Sequence, residues 1–255
     1  MKIRILAFVV LLPLCLLFSA CSKNKDTTMR FGMGTVAHIE KTVDAEGATN
    51  GSIENAQTFA AVLLDSDGRV ADCVLDAVDF YLSFTEKGEY VEPPAIKSKY
   101  AQGESYGMKA YGNAVKEWYQ QADAFAQTVK GKTLSEIQAL VAANGKGTDE
   151  LINAGCTIAI TDFVRAVEKA INAAESGTQT QSGTLRLTVS CEHIDGKSAA
   201  AAENGNSTVR TTATVNVVDV NNNTLHTATD TVTSTAEFTS EGKAVTQTGD
   251  LPTDD

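Results

Sequence analysis

Two aspartates, Asp76 and Asp230, stand at matching places in two similar stretches of the chain. Each lies on the apolar side of an alternating, strand-like pattern, where a carboxylate is costly unless it is hydrogen-bonded or paired. A carboxylate in such a place serves as an acid, as a cation ligand, or as an acceptor of hydrogen bonds from a nearby turn. The last role is favoured, because neither aspartate has companions at a recognisable metal-ligand spacing.

Other residues that could do chemistry are few. The chain has three histidines, His38, His193 and His226, and no arrangement of serine, histidine and aspartate that predicts a nucleophile. The residue types and spacing of Gly32–Ala37 match a dinucleotide-binding motif, but no amphipathic helix directly follows the segment. The segment from Tyr106 to Gly112 is rich in tyrosine and glycine. It is interpreted as a loop whose aromatic side chains pack into the core before the first helix. The sequence therefore predicts a protein that is not an enzyme and that has no metal site.

The cysteines of the mature chain, Cys73, Cys156 and Cys191, are widely spaced. They are interpreted as small buried apolar side chains, and their odd number leaves open whether two of them form a disulfide. A metal site built on cysteine is not expected without short ligand spacing.

The N-terminus has the pattern of a secretory signal. Lys2 and Arg4 form a short positive segment, residues 5–18 are apolar and uncharged, and Ser19 and Ala20 supply the small residues that precede a cleavage site. The apolar run is shorter than the roughly 20 residues that a membrane-spanning helix needs. Residues 1–20 are therefore predicted to be a signal peptide.

Cys21 follows these small residues directly, and the junction resembles the lipobox of bacterial lipoproteins. The resemblance implies that the cysteine sulfur receives a diacylglycerol, that cleavage makes Cys21 the first residue, and that palmitate-type chains anchor the protein. The location implied is the extracytoplasmic face of the bacterial cell membrane, in the cell envelope. Residues 21–28 are polar after the cysteine and are predicted to be a flexible lipidated tether.

The charge of the chain restricts its partners. The net charge is −11, and it becomes −13 without Lys2 and Arg4 of the leader. A chain this acidic lacks the clustered Lys and Arg that nucleic-acid phosphates require, so no nucleic-acid partner is expected. Anionic lipid surfaces repel it, so the lipid on Cys21 must provide the attachment.

An internal repeat organises the rest of the chain. Residues 58–91 align without gaps with residues 212–245, with eight identities where roughly two would be expected by chance. Upstream, His38-Ile39 aligns with His193-Ile194 in a register that differs by one residue, which predicts a one-residue insertion or deletion between the two alignments. Both copies begin with a strand-like stretch.

Each copy is predicted to be an antiparallel β unit. Turn residues such as Asp65–Gly68 and Asp219–Asn223 separate runs that alternate between apolar and polar side chains. The threonines that alternate between Thr227 and Thr235 are predicted to face solvent. In the first copy both faces of the strand from Val74 to Phe84 are apolar, so that sheet needs cover on both sides.

Three helices are predicted to supply that cover in residues 113–175. Asn113 is expected to cap the first helix, and Gly131 is expected to end it. The segment 133–136 has the sequence of a capping box and opens the second helix. Thr161 is expected to cap the third helix, which ends before Gly177.

A further resemblance depends on the segment from Ala154 to Thr157. Together with the helix that follows, it is similar to flavin-binding modules of bacterial extracellular electron-transfer lipoproteins. In those modules a threonine in an Asp-x-x-Ser/Thr-Gly-Ala-Thr motif carries FMN through a phosphoester. Gly155 and Thr157 match this motif, whereas Leu151, Ala154 and Cys156 replace its Asp, Ser and Ala. The resemblance implies Gly155 and Thr157 as cofactor-binding residues, with FMN as the cofactor.

The sequence thus predicts an α+β protein with an antiparallel β unit, three helices and a second, repeated β-rich module. The domains expected are an α+β domain at 29–175 (β unit 29–91, helical part 113–175), a linker at 176–183 and a second β unit at 184–255. Two functions remain open. The first is a lipid-anchored binding or envelope-associated lipoprotein without a cofactor, and the alternative is an FMN-binding electron-transfer lipoprotein.

Overall fold

Six long strands form two antiparallel meanders in a computed structural model that describes residues 28–201 and 203–252. The predicted signal peptide, Cys21 and most of the predicted tether lie outside the described residues. The first meander comprises β1 (Thr28–Val43), β2 (Gly51–Leu64) and β3 (Val70–Phe84), and the second comprises β6 (Thr184–Lys197), β7 (Gly205–Val218) and β8 (Thr224–Phe238). Three short strands complete the sheets: β4 (Tyr90–Val91), β5 (Gln179–Gln181) and β9 (Gly249–Asp250).

All strand pairs are antiparallel, and they form two sheets. Sheet one has the order β4-β3-β2-β1-β5, with β9 also paired to β1. Sheet two has the order β6-β7-β8. With six helices, this architecture confirms the predicted α+β class and its two β modules.

The registers of the two meanders confirm the repeat. Gly51 pairs with Phe84, and Gly205 pairs with Phe238, so the same shift of 154 relates both partners. The turns match as well: the amide of Gly68 donates to the carbonyl of Asp65, and the amide of Asn222 donates to that of Asp219. Asp76 pairs with Phe59 and Asp230 pairs with Ala213, which places the two aspartates at equivalent positions.

The predicted register change upstream is wrong. A bulge interrupts β1 between Ile39 and Lys41, and the matching bulge interrupts β6 between His193 and Asp195. Because both copies carry the bulge, the shift of 154 holds along the whole unit and no insertion separates them. His193 is therefore the structural equivalent of Ile39, and the shared His-Ile dipeptide is a coincidence.

The two sheets pack face to face around an approximate two-fold axis. Phe84 and its equivalent Phe238 are both fully buried and stack on each other, with ring centroids 4.7 Å apart and an interplanar angle of 9°. The amide of Ala45 donates to the carbonyl of Gly242 (2.8 Å), and the equivalent Ala199 amide donates to Gly88 (2.7 Å). These reciprocal contacts have the form of the isologous interface of a symmetric dimer.

Six helices connect the two units. They are α1 (Lys99–Gln102), α2 (Met108–Tyr111), α3 (Trp118–Val129), α4 (Leu134–Gln138), α5 (Asp149–Ala154) and α6 (Thr161–Ser176), with a 3₁₀ turn at Gly103–Tyr106. The second predicted helix is α4, and Thr133 caps it. The Thr133 hydroxyl accepts the amide of Glu136, and the Glu136 carboxylate accepts the amide of Thr133, which is the expected capping box. The region predicted to hold three helices therefore holds α3, α4, α5 and α6.

Two predicted helix caps are wrong. Asn113 adopts a positive φ of 52° in the turn before α3, and Glu117 is the residue that caps this helix. The Glu117 carboxylate accepts the amides of Met108 (2.8 Å) and Lys109 (3.1 Å), so contacts with the preceding segment fix the start of α3. Thr161 is the first residue of α6, and Ile160 occupies the cap position.

The helices cover only the outer face of sheet one. Leu75, Val62 and Phe125 belong to one buried cluster between this face and the helices, so sheet one is apolar on both sides as predicted. The threonines from Thr227 to Thr235 on the outer face of sheet two are exposed or half-buried, which confirms the predicted solvated face. The segment predicted as a linker, 176–183, contains β5, which pairs with the start of β1.

Candidate functional site

Asp76 is buried on β3, and its carboxylate accepts three hydrogen bonds. Its Oδ1 accepts the amide of Ala77 (2.7 Å) and the amide of Tyr100 (3.0 Å), and Ser98 donates to the same carboxylate. Burial raises the pKa of Asp76, and these hydrogen bonds together with the charge of Lys99 oppose that rise. The geometry supports the turn-acceptor role, because the carboxylate holds the segment that leads into α1.

We expect Asp76→Asn to change how stability depends on pH. A carboxyl whose pKa is raised in the native state stabilises the fold most below its unfolded pKa, about 3.9, and loses that contribution as pH rises through the native pKa. The difference in unfolding free energy between Asp76→Asn and wild type should therefore shift in favour of the variant as pH rises from 4 to 7. Urea titrations at several pH values measure this difference. Asp67→Asn, at an exposed turn, is the control, and a difference for Asp76→Asn that is independent of pH would contradict the assignment.

Asp230 lies at the matching edge of β8, in a different setting. Its carboxylate accepts the amide of Thr231 (2.7 Å), as Asp76 does from Ala77, and it also accepts the hydroxyl of Thr35 on β1. Asp230 thus connects the edges of the two sheets. Asp230 is half-buried and lines a groove that is open to solvent, whereas Asp76, which lines a second groove, is buried and bonded to Ser98 and Tyr100.

This groove, termed groove A, lies between β1, α6 and β8 and has a volume of about 680 Å³. Residues 31–34 of β1 form one wall, and His226 and residues 228–230 of β8 form another. Lys169, Asn172 and Ala173 of α6 form the third. The ring of Phe31 meets the ring of His226 edge to face, with centroids 4.9 Å apart. Groove A therefore combines aromatic and apolar surface with a carboxylate, an amide and an ammonium group.

The glycines of β1 explain how α6 forms this wall. A Cβ atom at Gly32 would overlap the carbonyl oxygen of Ala170, and one at Gly34 would overlap that of Ala166. The two glycines let the helix backbone approach the strand closely. The Gly32–Ala37 pattern is thus a packing feature of a β-strand.

A second groove, groove B, is related to groove A by the approximate two-fold axis. It lies between β3, α3 and β6 and has a volume of about 480 Å³. Here Asp72, the equivalent of His226, accepts the amide of Leu185 (2.9 Å) and pairs with Lys130 (2.8 Å). These contacts bind the two strand edges to each other, so groove B is the more closed of the pair.

The residues implied by the flavin resemblance lie elsewhere, on the helical side of sheet one. Gly155 has a φ of +97° and follows α5, and the ammonium of Lys116 lies over it and donates to the carbonyl of Ala154 (2.9 Å). Thr157 is exposed, and both its amide (2.9 Å) and its hydroxyl (3.1 Å) donate to the side-chain carbonyl of Gln121.

The same Gln121 connects this segment to the tyrosine–glycine loop. Its amide nitrogen lies 3.8 Å from the sulfur of Met108. The segment predicted to be a loop contains the short helix α2, Met108–Tyr111, so that part of the prediction is wrong. Tyr106 and Met108 pack against the core as expected, whereas Tyr111 is 91% exposed. The structure therefore brings the Tyr106–Gly112 segment and Thr157 together through Gln121, although the two are about 50 residues apart in the chain.

The thiols of the described residues are not arranged for chemistry. Cys73, Cys156 and Cys191 are all free, and the first two are buried. Burial raises the pKa of Cys156 to about 11 and also raises the pKa of Cys73, so neither thiol forms the thiolate needed for attack.

No group of three His, Cys, Asp or Glu side chains placed to hold a metal ion occurs within 28–201 and 203–252. Over the same residues, no helix combines the length and apolarity of a membrane span.

Groove A and Gln121 were not identified from the sequence. The walls of groove A come from β1, α6 and β8, and no local pattern links Phe31, Lys169 and His226. The sequence did indicate Asp230, because an aspartate stands on the apolar side of both β units. That position predicted a carboxylate that accepts hydrogen bonds, acts as an acid or binds a cation.

The chain is similar to a known reductase over part of its length. No family model matches the chain, and no solved structure matches it. A chlorophenol reductase from Desulfitobacterium hafniense is 29% identical over 94 residues. That similarity involves 32% of this chain and 29% of the reductase, so the chain matches less than a third of that protein's length.

Proposed function

We propose that this chain is a lipid-anchored extracytoplasmic protein that acts by binding a ligand in groove A. The observation that carries the proposal is the groove itself: its volume falls in the range of about 300–1,000 Å³ that ligand sites occupy. Its polar groups, among them Asp230 and Lys169, converge on a mixed apolar surface, which is the usual composition of a binding site. The Ser-Ala-Cys junction of the leader supports the anchoring.

The anchor would hold groove A close to the bilayer. Cys21 is seven residues before Thr28, where β1 begins, and seven residues span at most about 25 Å. Phe31, in the wall of groove A, follows three residues later. A ligand of groove A would therefore be bound near the outer surface of the membrane.

An NMR titration of the isotope-labelled chain with a library of small organic compounds and short peptides tests the binding proposal. We expect the largest changes in amide shifts at residues 31–34 and 226–230. Changes confined to other regions, or none with any compound, would contradict the proposal.

A second function, binding of FMN, is favoured by one specific observation. The exposed Thr157 donates to Gln121, whose amide nitrogen lies 3.8 Å from the sulfur of Met108, so the motif threonine lies near the tyrosine–glycine segment. The partial similarity to a reductase is consistent with a redox role. The missing Asp and Ser of the motif weigh against covalent attachment, so this function ranks second.

We expect Thr157→Ala to cost about 1 kcal/mol of stability and to alter no flavin content. The hydroxyl donates one hydrogen bond to Gln121, and a bond of that kind contributes roughly 0.5–1.5 kcal/mol. Thr157→Ser, which keeps the hydroxyl, should retain most of that stability. The flavin content is measured by mass spectrometry of denatured protein after exposure to a flavin-transferring enzyme. A flavin-sized mass increment in wild type that is lost in Thr157→Ala would reverse the ranking of the two functions.

A further inference from the structure

Groove A is lined by groups of opposite charge on facing walls. Among the described residues that line it, Lys169 of α6 supplies an ammonium group and Asp230 of β8 supplies a carboxylate. Asn172, three residues after Lys169 and therefore on the same face of α6, also lines the groove. A ligand in groove A thus meets hydrogen-bond donors on the helix side and a negative acceptor on the side of sheet two.

The two charged side chains are held at the same level of β1. The Cβ atom of Lys169 packs against Gly34, where an added Cβ would lie 2.7 Å from it. The carboxylate of Asp230 accepts the hydroxyl of Thr35, which is the next residue along the strand. Because neighbouring residues of a strand face opposite sides of the sheet, Lys169 and Asp230 approach groove A from opposite sides at one height.

Apolar side chains contribute much of the remaining surface of groove A. Phe31 and Met33 line it from β1, Ala173 lines it from α6, and Ala228 lines it from β8. A surface of this kind favours a ligand with an apolar part, whereas the charged groups fix the orientation of its polar part. The volume of about 680 Å³ leaves room for a large apolar group.

We propose that groove A binds a free amino acid with an apolar side chain. Lys169 and Asn172 would hold its carboxylate, and Asp230 would hold its ammonium group. The proposal rests on groove A being the binding site proposed above, and it names the class of ligand.

The charges of groove A disfavour ligands that carry only one charge. A purely anionic ligand would meet the carboxylate of Asp230, and a purely cationic ligand would meet the ammonium of Lys169. Each would face a repulsion between like charges, which a zwitterion avoids by turning each of its groups to the opposite wall. An amino acid carries both groups on one carbon atom, which suits two side chains that approach the groove at one height.

The test begins with NMR titrations of the isotope-labelled mature chain, in mild detergent, with each of the standard amino acids. The tightest binder is then compared with two analogues that share its side chain: the carboxylic acid without the amino group and the amine without the carboxylate. We expect the amino acid to bind at least about tenfold more tightly than either analogue, because each analogue lacks one charged hydrogen-bonding group. The amides that shift should be those of residues 31–34 and 228–230, which line groove A.

Two variants assign the charged groups to their partners. Lys169→Met keeps a long side chain without the ammonium, so it should lower the affinity for the amino acid to near that of the amine analogue and should not weaken binding of that amine. Asp230→Asn keeps an acceptor for the Thr35 hydroxyl, and it should lower the affinity for the amino acid to near that of the acid analogue. Lys87→Met, in the exposed turn after β3, is the control and should leave all three affinities unchanged.

The comparison of analogues needs only the wild-type chain, so it holds even where a variant fails to fold. Equal affinity of the amino acid and either analogue would overturn the proposal, and so would an unchanged affinity for the amino acid in Lys169→Met. If no amino acid shifts the amides of groove A while other organic compounds do, the amino-acid proposal fails and the binding function stands. If no compound shifts them, both fail.

Discussion

Replacement of Cys21 by alanine should abolish the incorporation of radiolabelled palmitate and move the protein from the membrane to the soluble or unprocessed fraction. On the proposed anchoring, the Cys21 sulfur is the atom that would receive the lipid, as the resemblance to the lipobox implies. Two acyl chains would contribute about 0.8 kcal/mol for each buried methylene, and without them an acidic chain would have no such attachment.

Cys15 provides a matched control for this experiment. It lies within the leader, upstream of the expected cleavage, so Cys15→Ala should leave palmitate incorporation unchanged. Equal incorporation into wild type and Cys21→Ala would show that the leader is an ordinary secretory signal and would refute the anchor.

Phe84→Ala and Phe238→Ala should each lower the free energy of unfolding by about 3–5 kcal/mol, the usual cost of removing a fully buried phenylalanine. Both rings are completely buried, and they stack on each other in the core between the two sheets. Because each ring is the other's neighbour, the double variant should lose less than the sum of the two single losses.

Denaturant titrations followed by circular dichroism and by fluorescence of Trp118 measure these losses. Thr233→Ala, on the exposed threonine face of sheet two, is the control and should change stability by less than about 0.5 kcal/mol. The two probes should give a single transition, since the sheets share one core. Two separate transitions in wild type, with Phe238→Ala affecting only one of them, would show that the β units are independent.

The regular parts of the fold were predictable because their signals are local. Alternation with a period of two predicted the solvated face at Thr227–Thr235, and the apolar residues on both faces of the strand from Val74 to Phe84 predicted cover on both sides of that sheet. The capping box at Thr133 is likewise a pattern of four consecutive residues. Such features need no knowledge of what packs against them.

The errors arose where distant contacts decide the structure. Glu117 caps α3 because its carboxylate is held by the amides of Met108 and Lys109, a contact that the good capping residue Asn113 does not make. The alignment of His38 with His193 failed because a bulge in each copy keeps the register constant. Groove A was not found, because its three walls come together only through the packing of α6 against β1 and of sheet two against sheet one.

The proposal that groove A holds a ligand at the membrane surface is tested most directly by hydrogen exchange on the full chain in membranes of the cells that produce it. Peptides covering residues 31–37 and 226–231 should exchange more slowly there than in the purified chain, because they contain the β1 and β8 residues that line groove A and a bound ligand would cover those residues. Peptides from β7, which is paired on both sides, should exchange equally in both preparations. Equal exchange at 31–37 and 226–231, or protection confined to the region around Gly155 and Thr157, would contradict the claim and favour the flavin alternative.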